Sequence, residues 1–401
     1  MPLRFLTAGE SHGPALTAIL EGLPAGMALD LEVIARDLGR RQEAYGAGGR
    51  MKIERDTAAI TAGVMNGHTT GGPIALTIAN RDYKSWATKR ISPISTPRPG
   101  HADLTGAIKY GYRELRLALE RASARETAAR VAVGAICKQY LGSFGVQVQG
   151  YVTAIGSVSA DLPLDAVSTL WDYEQRFALA ESNDLRCPDL AAIERMRQLV
   201  WECMQAKDTL GGVFEVVALG LPPGLGSHVH WDRRLGSRLL GAVGSIHAIK
   251  GVEIGQAFAN AMRFGTEVHD EIFRDASGRL VRQTNRAGGL EGGITTGEPL
   301  IVRAAMKPIS TTLNPRRSVN LATGEPEVTT YERSDFNAVP RAVVVAEAMV
   351  AYVLADALLE KLGGDSLDEQ RPRFAGLRRA HLDDLPMDNE PWQFGYDGLE
   401  G

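Results

Sequence analysis

Thr7-Ala8-Gly9-Glu10-Ser11-His12-Gly13 stands near the head of the chain, between two short apolar runs, Leu3 to Leu6 and Ala15 to Leu20. Its last five residues fit Gly-x-Ser-x-Gly, the nucleophile elbow of serine hydrolases, which sits on a strand-turn-helix. The flanks allow that context. The elbow also needs an oxyanion donor from an earlier strand–helix loop, and only ten residues of this chain precede Ser11. The plain structural alternative is a turn whose Ser11 N-caps a following helix and whose His12 is an ordinary satisfied polar side chain. The third reading is a turn that handles a proton or an anion, for which a hydroxyl beside an imidazole between glycines is suited.

Working outward, the chain has 401 residues, 44% hydrophobic and 23% charged, which is enough apolar material for a large core. The formal net charge of −4 argues against a general nucleic-acid-binding surface. Cys137, Cys187 and Cys203 are odd in number and lack metal spacing, so a reducing, cytoplasmic setting is expected. There is no His-Glu-x-x-His and no acidic triad, so no metal site is expected. The apolar stretch Ala342 to Leu362 carries Glu347, Asp356 and Glu360 and reads as a core helix rather than a membrane span.

Helical periodicity predicts four helices: one N-capped by Asp30 through Leu38, one long helix from Leu115 to Leu141, one from Leu190 to Lys207, and one from Pro340 to Gly363-Gly364. Strand-like runs lie at Ala58 to Val64, Pro73 to Ala79, Val146 to Ile155, Val213 to Leu219, Val252 to Phe258 and Leu300 to Met306. The mixture lacks a βαβ rhythm, which predicts an α+β fold. Residues 1–364 read as a single catalytic domain. Residues 365–401 turn polar and proline-containing and read as a tail, partly disordered or docked.

Four further segments carry chemistry-bearing side chains. Arg98-Pro99-Gly100-His101-Ala102-Asp103 is a stiffened loop presenting a histidine. In Glu120-Arg121-Ala122-Ser123-Ala124-Arg125-Glu126-Thr127, the long helix would place Arg121 and Arg125 on one face, where they repel unless an anion lies between them. Arg40-Arg41-Gln42 and Tyr45-Gly46-Ala47-Gly48-Gly49-Arg50 join basic groups to a flexible loop that is neither a Walker A nor a dinucleotide fingerprint. Lys307-Pro308-Ile309-Ser310-Thr311 and Arg333-Ser334-Asp335 add a cation, hydroxyls and one late carboxylate. Together these imply multiply anionic ligands and acid–base chemistry on histidine.

In chain order, the segments 7–13, 98–103, 120–127, Asp208-Thr209-Leu210-Gly211-Gly212, Lys250-Gly251-Val252-Glu253, Met306-Lys307-Pro308-Ile309-Ser310-Thr311 and Arg333-Ser334-Asp335 resemble the signature blocks of the chorismate synthase family; the likeness runs from about residue 4 to 366. The resemblance implies a β-α-β sandwich, assembly as a homotetramer, and conversion of 5-enolpyruvylshikimate 3-phosphate to chorismate and phosphate. That reaction is a net 1,4-elimination with no overall redox change that nevertheless needs reduced FMN; NADPH enters only where the flavin is reduced in situ. No nucleic-acid or membrane partner is implied. By resemblance, His12 would stand by the flavin ring and protonate or stabilise it. His101 would donate a proton to the departing phosphate, Asp335 would assist removal of the ring hydrogen, and Ser11 would support the histidine network. Flavin contacts fall on Arg121, Ala122, Ser123, His247, Ala248, Gly292, Lys307, Pro308, Ile309, Ser310, Thr311 and Arg333. Substrate anions fall to Arg41, Arg50, Arg98 and Arg125.

The chain departs from the family pattern at Ala47, where Arg is usual, at Glu43-Ala44, at His247 in place of Gln or Asn, and at Thr296 in place of Asn. Ala47 motivates an alternative in which the chain is an FMN- or anion-binding homologue with weakened or lost activity. A serine hydrolase acting through Ser11 is the remaining alternative.

Overall fold

In the computed structural model, which describes residues 2–47, 56–162, 170–332, 334–392 and 395, the opening motif is the turn of a β-hairpin. Strand β1 (Arg4–Ala8) pairs antiparallel with β2 (Ala15–Glu21), and β2 buries Leu16, Ala18 and Leu20 on one face in strict alternation. No helix follows Ser11. The strand-turn-helix of a nucleophile elbow is therefore absent, and Ser11 caps no following helix, because Ala15 to Leu20 alternates with period 2 and folds as a strand.

Helix α1 (Leu31–Gln42) begins at Asp30, whose side chain accepts from the Glu32 N–H at 2.9 Å. Strands β3 (Ala58–Ala62) and β4 (Ile74–Ala79) complete a first antiparallel sheet in the order β1-β2-β4-β3. Helix α2 spans Asp103–Tyr110. The expected single helix from Leu115 to Leu141 is instead two, α3 (Arg116–Ala122) and α4 (Thr127–Gly142), separated by Ser123 in an extended conformation and a short 3₁₀ turn at Ala124–Glu126. Ser123 accepts from the Arg125 N–H, so the apolar periodicity continues across a genuine break held by a side-chain cap.

The second sheet contains β5 (Gln147–Ile155), β6 (Val158–Ser159), β7 (Gly212–Leu219), β8 (Ile249–Ile254) and β9 (Leu300–Met306), in the order β8-β9-β7-β5-β6, all antiparallel. β8 ends earlier than the expected Val252 to Phe258 run. Gly255, at φ +60°, turns the chain there, and its hypothetical Cβ would lie 2.8 Å from the Arg286 carbonyl. Helices α5 (Leu170–Glu181), α6 (Leu190–Gln205, N-capped by Asp189) and α7 (Leu235–Gly244) lie between these strands in sequence.

Helix α8 (Val339–Leu362) fills the middle of the molecule. The first sheet packs on α4, α4 packs on α8, and α8 packs on β5 and β7 of the second sheet, giving a sheet–helix–sheet sandwich. α8 is apolar and long enough to cross a membrane by composition, but 89% of its most apolar window is buried inside the fold. The α4–α8 contact is close: a Cβ on Gly134 would sit 2.2 Å from the Ala348 Cβ. One ionic cluster interrupts this core. Fully buried Glu347 accepts from Arg40 at 2.7 and 2.8 Å, from Lys138 at 2.6 Å and from the Gly150 N–H at 2.9 Å. Beyond residue 364 the chain forms helix α9 (Leu367–Ala375), docked by buried Leu367 and by Gln370, which accepts from the Tyr140 hydroxyl at 2.8 Å.

Candidate active site

The hairpin turn is built to hold two side chains still. Gly9, at φ +113°, brings its backbone so near Ala15 that a Cβ would lie 2.5 Å from the Ala15 carbonyl. Asn80, at the end of β4, donates to the carbonyls of Glu10 at 3.1 Å and Gly13 at 2.7 Å. Glu120 of α3 grips the turn from the other side. Its carbonyl accepts from the Ser11 N–H at 3.1 Å, one carboxylate oxygen from the His12 N–H at 2.8 Å, and the other from His12 Nδ1 at 2.7 Å. Burial pushes the Glu120 carboxyl up, but the hydrogen bonds from His12 and the nearby Arg116 charge outweigh it and hold the group below the ordinary carboxylate range. Ser11 is 2% exposed and accepts from the Ser123 hydroxyl at 3.1 Å. The Trp86 ring lies over the His12 ring, centroids 4.3 Å apart.

The loop before α2 has the same logic. Asp103 accepts from the Arg98 backbone N–H at 3.0 Å and from its guanidinium at 2.8 and 3.0 Å, and from His101 Nδ1 at 2.6 Å. Burial would raise Asp103, yet the His101 and Arg98 contacts hold its carboxyl far below the usual range. Arg98 also donates to Thr311 Oγ1 at 3.2 Å. Ser310 donates to the Gly100 carbonyl at 2.6 Å and accepts from Lys307 at 3.0 Å, which ties the segment after β9 to this loop.

The helix break sends Arg121 and Arg125 in different directions rather than along one face. Arg121 donates to the Thr7 carbonyl at 2.9 Å and lines a separate cleft with Thr7, Glu126, Arg130 and Ser245. Arg125 is buried: Nε donates to Asn80 at 2.8 Å, Nη1 to both Asp56 oxygens at 2.7 Å, and Nη2 has no hydrogen-bond partner among the described residues. Arg41 donates to Thr127 and to the Ala124 carbonyl, both at 2.9 Å. Burial, with the neighbouring charges of Arg341 and Arg125, pulls Arg41 down to about 9, so it remains a cation at neutral pH. Arg341 pairs with Asp335 and donates to the Arg41 carbonyl at 2.8 Å. Burial lowers His247, which favours neutral imidazole, and its Nδ1 is buried without a partner among the described residues.

These groups surround one cavity of about 600 Å³, within the range of roughly 300–1,000 Å³ for small-molecule sites. It is lined by Ser11, His12, Arg41, Arg98, His101, Ala122, Ser123, Arg125, His247, Ala248, Lys307, Ile309, Ser310, Thr311 and Asp335, which brings together most of the side chains singled out in the sequence. Gly292 lies on a β-turn near His228, away from this cavity, and neither Arg121 nor Pro308 lines it. Arg50 and Arg333 fall outside the described residues. Sequence reasoning passed over Trp86, Lys89 and Arg341, which also line the cavity, and Glu120, Asp103, Asn80 and Asp56, which hold the lining side chains. A lone tryptophan and acids inside charged runs carry no local signal. Among the described residues no cluster of His, Cys, Asp and Glu suits a metal ion.

A family model described as "Chorismate synthase" matches residues 3–359. The chain belongs to the chorismate synthase family. It is 53% identical over 386 residues to a protein named chorismate synthase from Aquifex aeolicus, covering 93% of this chain and 96% of that one. A relative of the same name from Geobacter sulfurreducens is 53% identical over 391 residues, covering 93% and 98%. A solved structure described as "Crystal Structure of Chorismate Synthase" superposes with a TM-score of 0.77 at 46% identity, covering 94% of this chain and 97% of that one. Family membership accounts for the sandwich of two antiparallel sheets about a helical middle, and the α+β expectation holds.

Proposed function

We propose that this chain is a chorismate synthase, a lyase that converts 5-enolpyruvylshikimate 3-phosphate to chorismate and phosphate in the shikimate route to aromatic amino acids, with residues 1–364 acting as one catalytic unit. The observation that carries the reading is the single cavity in which two carboxylate-backed histidines face buried arginines. Two carboxylates and a phosphate on the substrate match Arg41, Arg98 and Arg125, with Arg50 a further candidate, because guanidinium forks suit such anions.

The residues present also fit a flavin. The buried Nδ1 of His247, without a partner among the described residues, is an unmet polar atom of the kind a heteroaromatic ligand satisfies. Ala122, Ser123, His247, Ala248, Lys307, Ile309, Ser310 and Thr311 would hold reduced FMN, with Arg333 a further candidate. When bound, it supplies the electron chemistry that the elimination requires. NADPH is needed only if that flavin is reduced in place.

Around these ligands the chain's own groups divide the proton work. As the bond between the ring and the phosphate oxygen breaks, His101 donates a proton from Nε2 to the departing phosphate, its Nδ1 being held by Asp103. Asp335, paired with Arg341, takes up the proton lost from the ring. His12 and Ser11 line the same cavity, and Ser11 accepts from the Ser123 hydroxyl. Ala47 is not among the described lining residues, and every proposed acid or base is retained, which favours an active enzyme over a binding-only homologue.

A cytoplasmic homotetramer completes the reading. Exposed Leu6, Ile19, Phe258, Met262 and Phe264 are the kind of surface that association covers, and the three free, buried cysteines suit a reducing compartment. The test is anaerobic phosphate release from 5-enolpyruvylshikimate 3-phosphate. Release is expected with reduced FMN and not without it; no release with reduced FMN overturns the proposal. Labelling of Ser11 by a fluorophosphonate would instead support a hydrolase.

A further inference from the structure

We propose that Glu120 is a positioning residue for His12, fixing the imidazole as an Nδ1–H donor so that Nε2 is the nitrogen offered to ligands in the cavity. The inference rests on the lyase reading for its kinetic consequence, but the geometry stands apart from it. A carboxylate accepts hydrogen bonds and cannot donate them when ionised. Glu120 Oε1 lies 2.7 Å from His12 Nδ1, so that nitrogen carries the proton in the neutral ring. The Trp86 ring packs against the imidazole, centroids 4.3 Å apart with the ring planes inclined by 43°, and restricts its rotation.

The contact is more than a brace for the hairpin. The turn is already closed by the Glu120 carbonyl on the Ser11 N–H, by Glu120 Oε2 on the His12 N–H, and by Asn80 on the Glu10 and Gly13 carbonyls. Oε1 is left for the ring. The charged groups about the pair are Arg116, 3.9 Å from Oε1, Lys89 and Arg116 over the Trp86 ring, and Asp82, which accepts from the Trp86 indole N–H at 3.2 Å. Among the described residues, only Glu120 hydrogen-bonds the His12 ring.

This makes Glu120→Gln discriminating. A glutamine keeps one carbonyl oxygen for the His12 backbone N–H, so the turn survives, but it presents an amide N–H to Nδ1. The ring then takes the opposite tautomer, with Nδ1 accepting and Nε2 protonated. Glu120→Asp keeps an acceptor-only group on a shorter arm and retains the original tautomer.

The experiment is ¹⁵N NMR of the full chain labelled at histidine, with the His12 signals assigned by difference against His12→Asn, read at the neutral limit of a pH series without flavin or substrate. The wild type and E120D are expected in the Nδ1–H form and E120Q in the Nε2–H form. In the reduced-flavin assay, kcat of E120Q is expected to fall by about 100-fold or more with KM little changed, and E120D to recover part of the loss. An unshifted tautomer in E120Q, or wild-type kcat in E120Q, overturns the proposal, as does E120D that is no better than E120Q. If the wild type itself releases no phosphate with reduced FMN, the lyase reading fails while the NMR arm still decides the part played by Glu120.

Discussion

Arg125→Lys isolates the anion-binding role of one guanidinium arm. Arg125 spends Nε on Asn80 and Nη1 on Asp56, and holds Nη2 buried and unpaired among the described residues. A lysine keeps the charge and can still meet Asp56, but it has no second arm to offer. One charge-assisted hydrogen bond to a bound anion is lost, about 1.5–3 kcal/mol. At about 1.4 kcal/mol per tenfold, substrate binding weakens by about 10- to 100-fold. Stability falls by about 1–3 kcal/mol, because the buried Asn80 oxygen loses its partner. Calorimetric titration of R125K with 5-enolpyruvylshikimate 3-phosphate reads the first quantity, and urea unfolding reads the second. Wild-type affinity in R125K would refute the assignment of Nη2 to an anion. A stability loss of several kcal/mol would make Arg125 a structural residue first.

Glu347→Gln leaves Arg40 and Lys138 buried with less than their full counter-charge, and a loss of about 3–5 kcal/mol in unfolding free energy is expected by urea titration. Burial would raise Glu347, but Arg40 and Lys138 outweigh it and hold its carboxyl well below the unfolded value near 4.5. The stability it contributes is therefore fully present above that value and lost as pH falls through and below it, so the acid limb of the stability–pH curve is expected to flatten in E347Q. Gly134→Val places methyl groups where Ala348 already stands, and overpacking of roughly 1–3 kcal/mol or more is expected by the same measurement.

Where a pattern was local, the sequence was legible. Asp30 announced α1 through an N-cap, and the apolar run from Leu300 to Met306 is a strand over those residues. The failure at Ser123 is instructive. Apolar periodicity alone joined α3 to α4, because apolar residues run on across the break into a helix that is buried almost all round. The signal for a break was nevertheless present: Ser123-Ala124-Arg125-Glu126 has the Ser-x-x-Glu form of a helix start. Reading it would have separated Arg121 from Arg125. The histidines were visible as misfits in turns, whereas Glu120 and Asp103 resembled ordinary solvated acids. What makes them part of the site is a partner 108 residues away in one case and a folded-back loop in the other. Neither relation leaves a trace in composition or spacing.

The central position of α8 sets an order on the making of this protein. α4 follows the first sheet closely and can cover it at once. The far face of α4, and the inner face of β5, wait for a helix that begins at Val339. Between the end of β5 and the end of α8 lie roughly 200 residues of synthesis, about 10–40 s at ~5–20 residues per second. During that interval the nascent chain carries apolar surfaces with nothing yet made to cover them. A ribosome that stalls before Val339 would leave two sheets without their common filling, and such a product is a substrate for chaperones and proteases rather than a smaller enzyme.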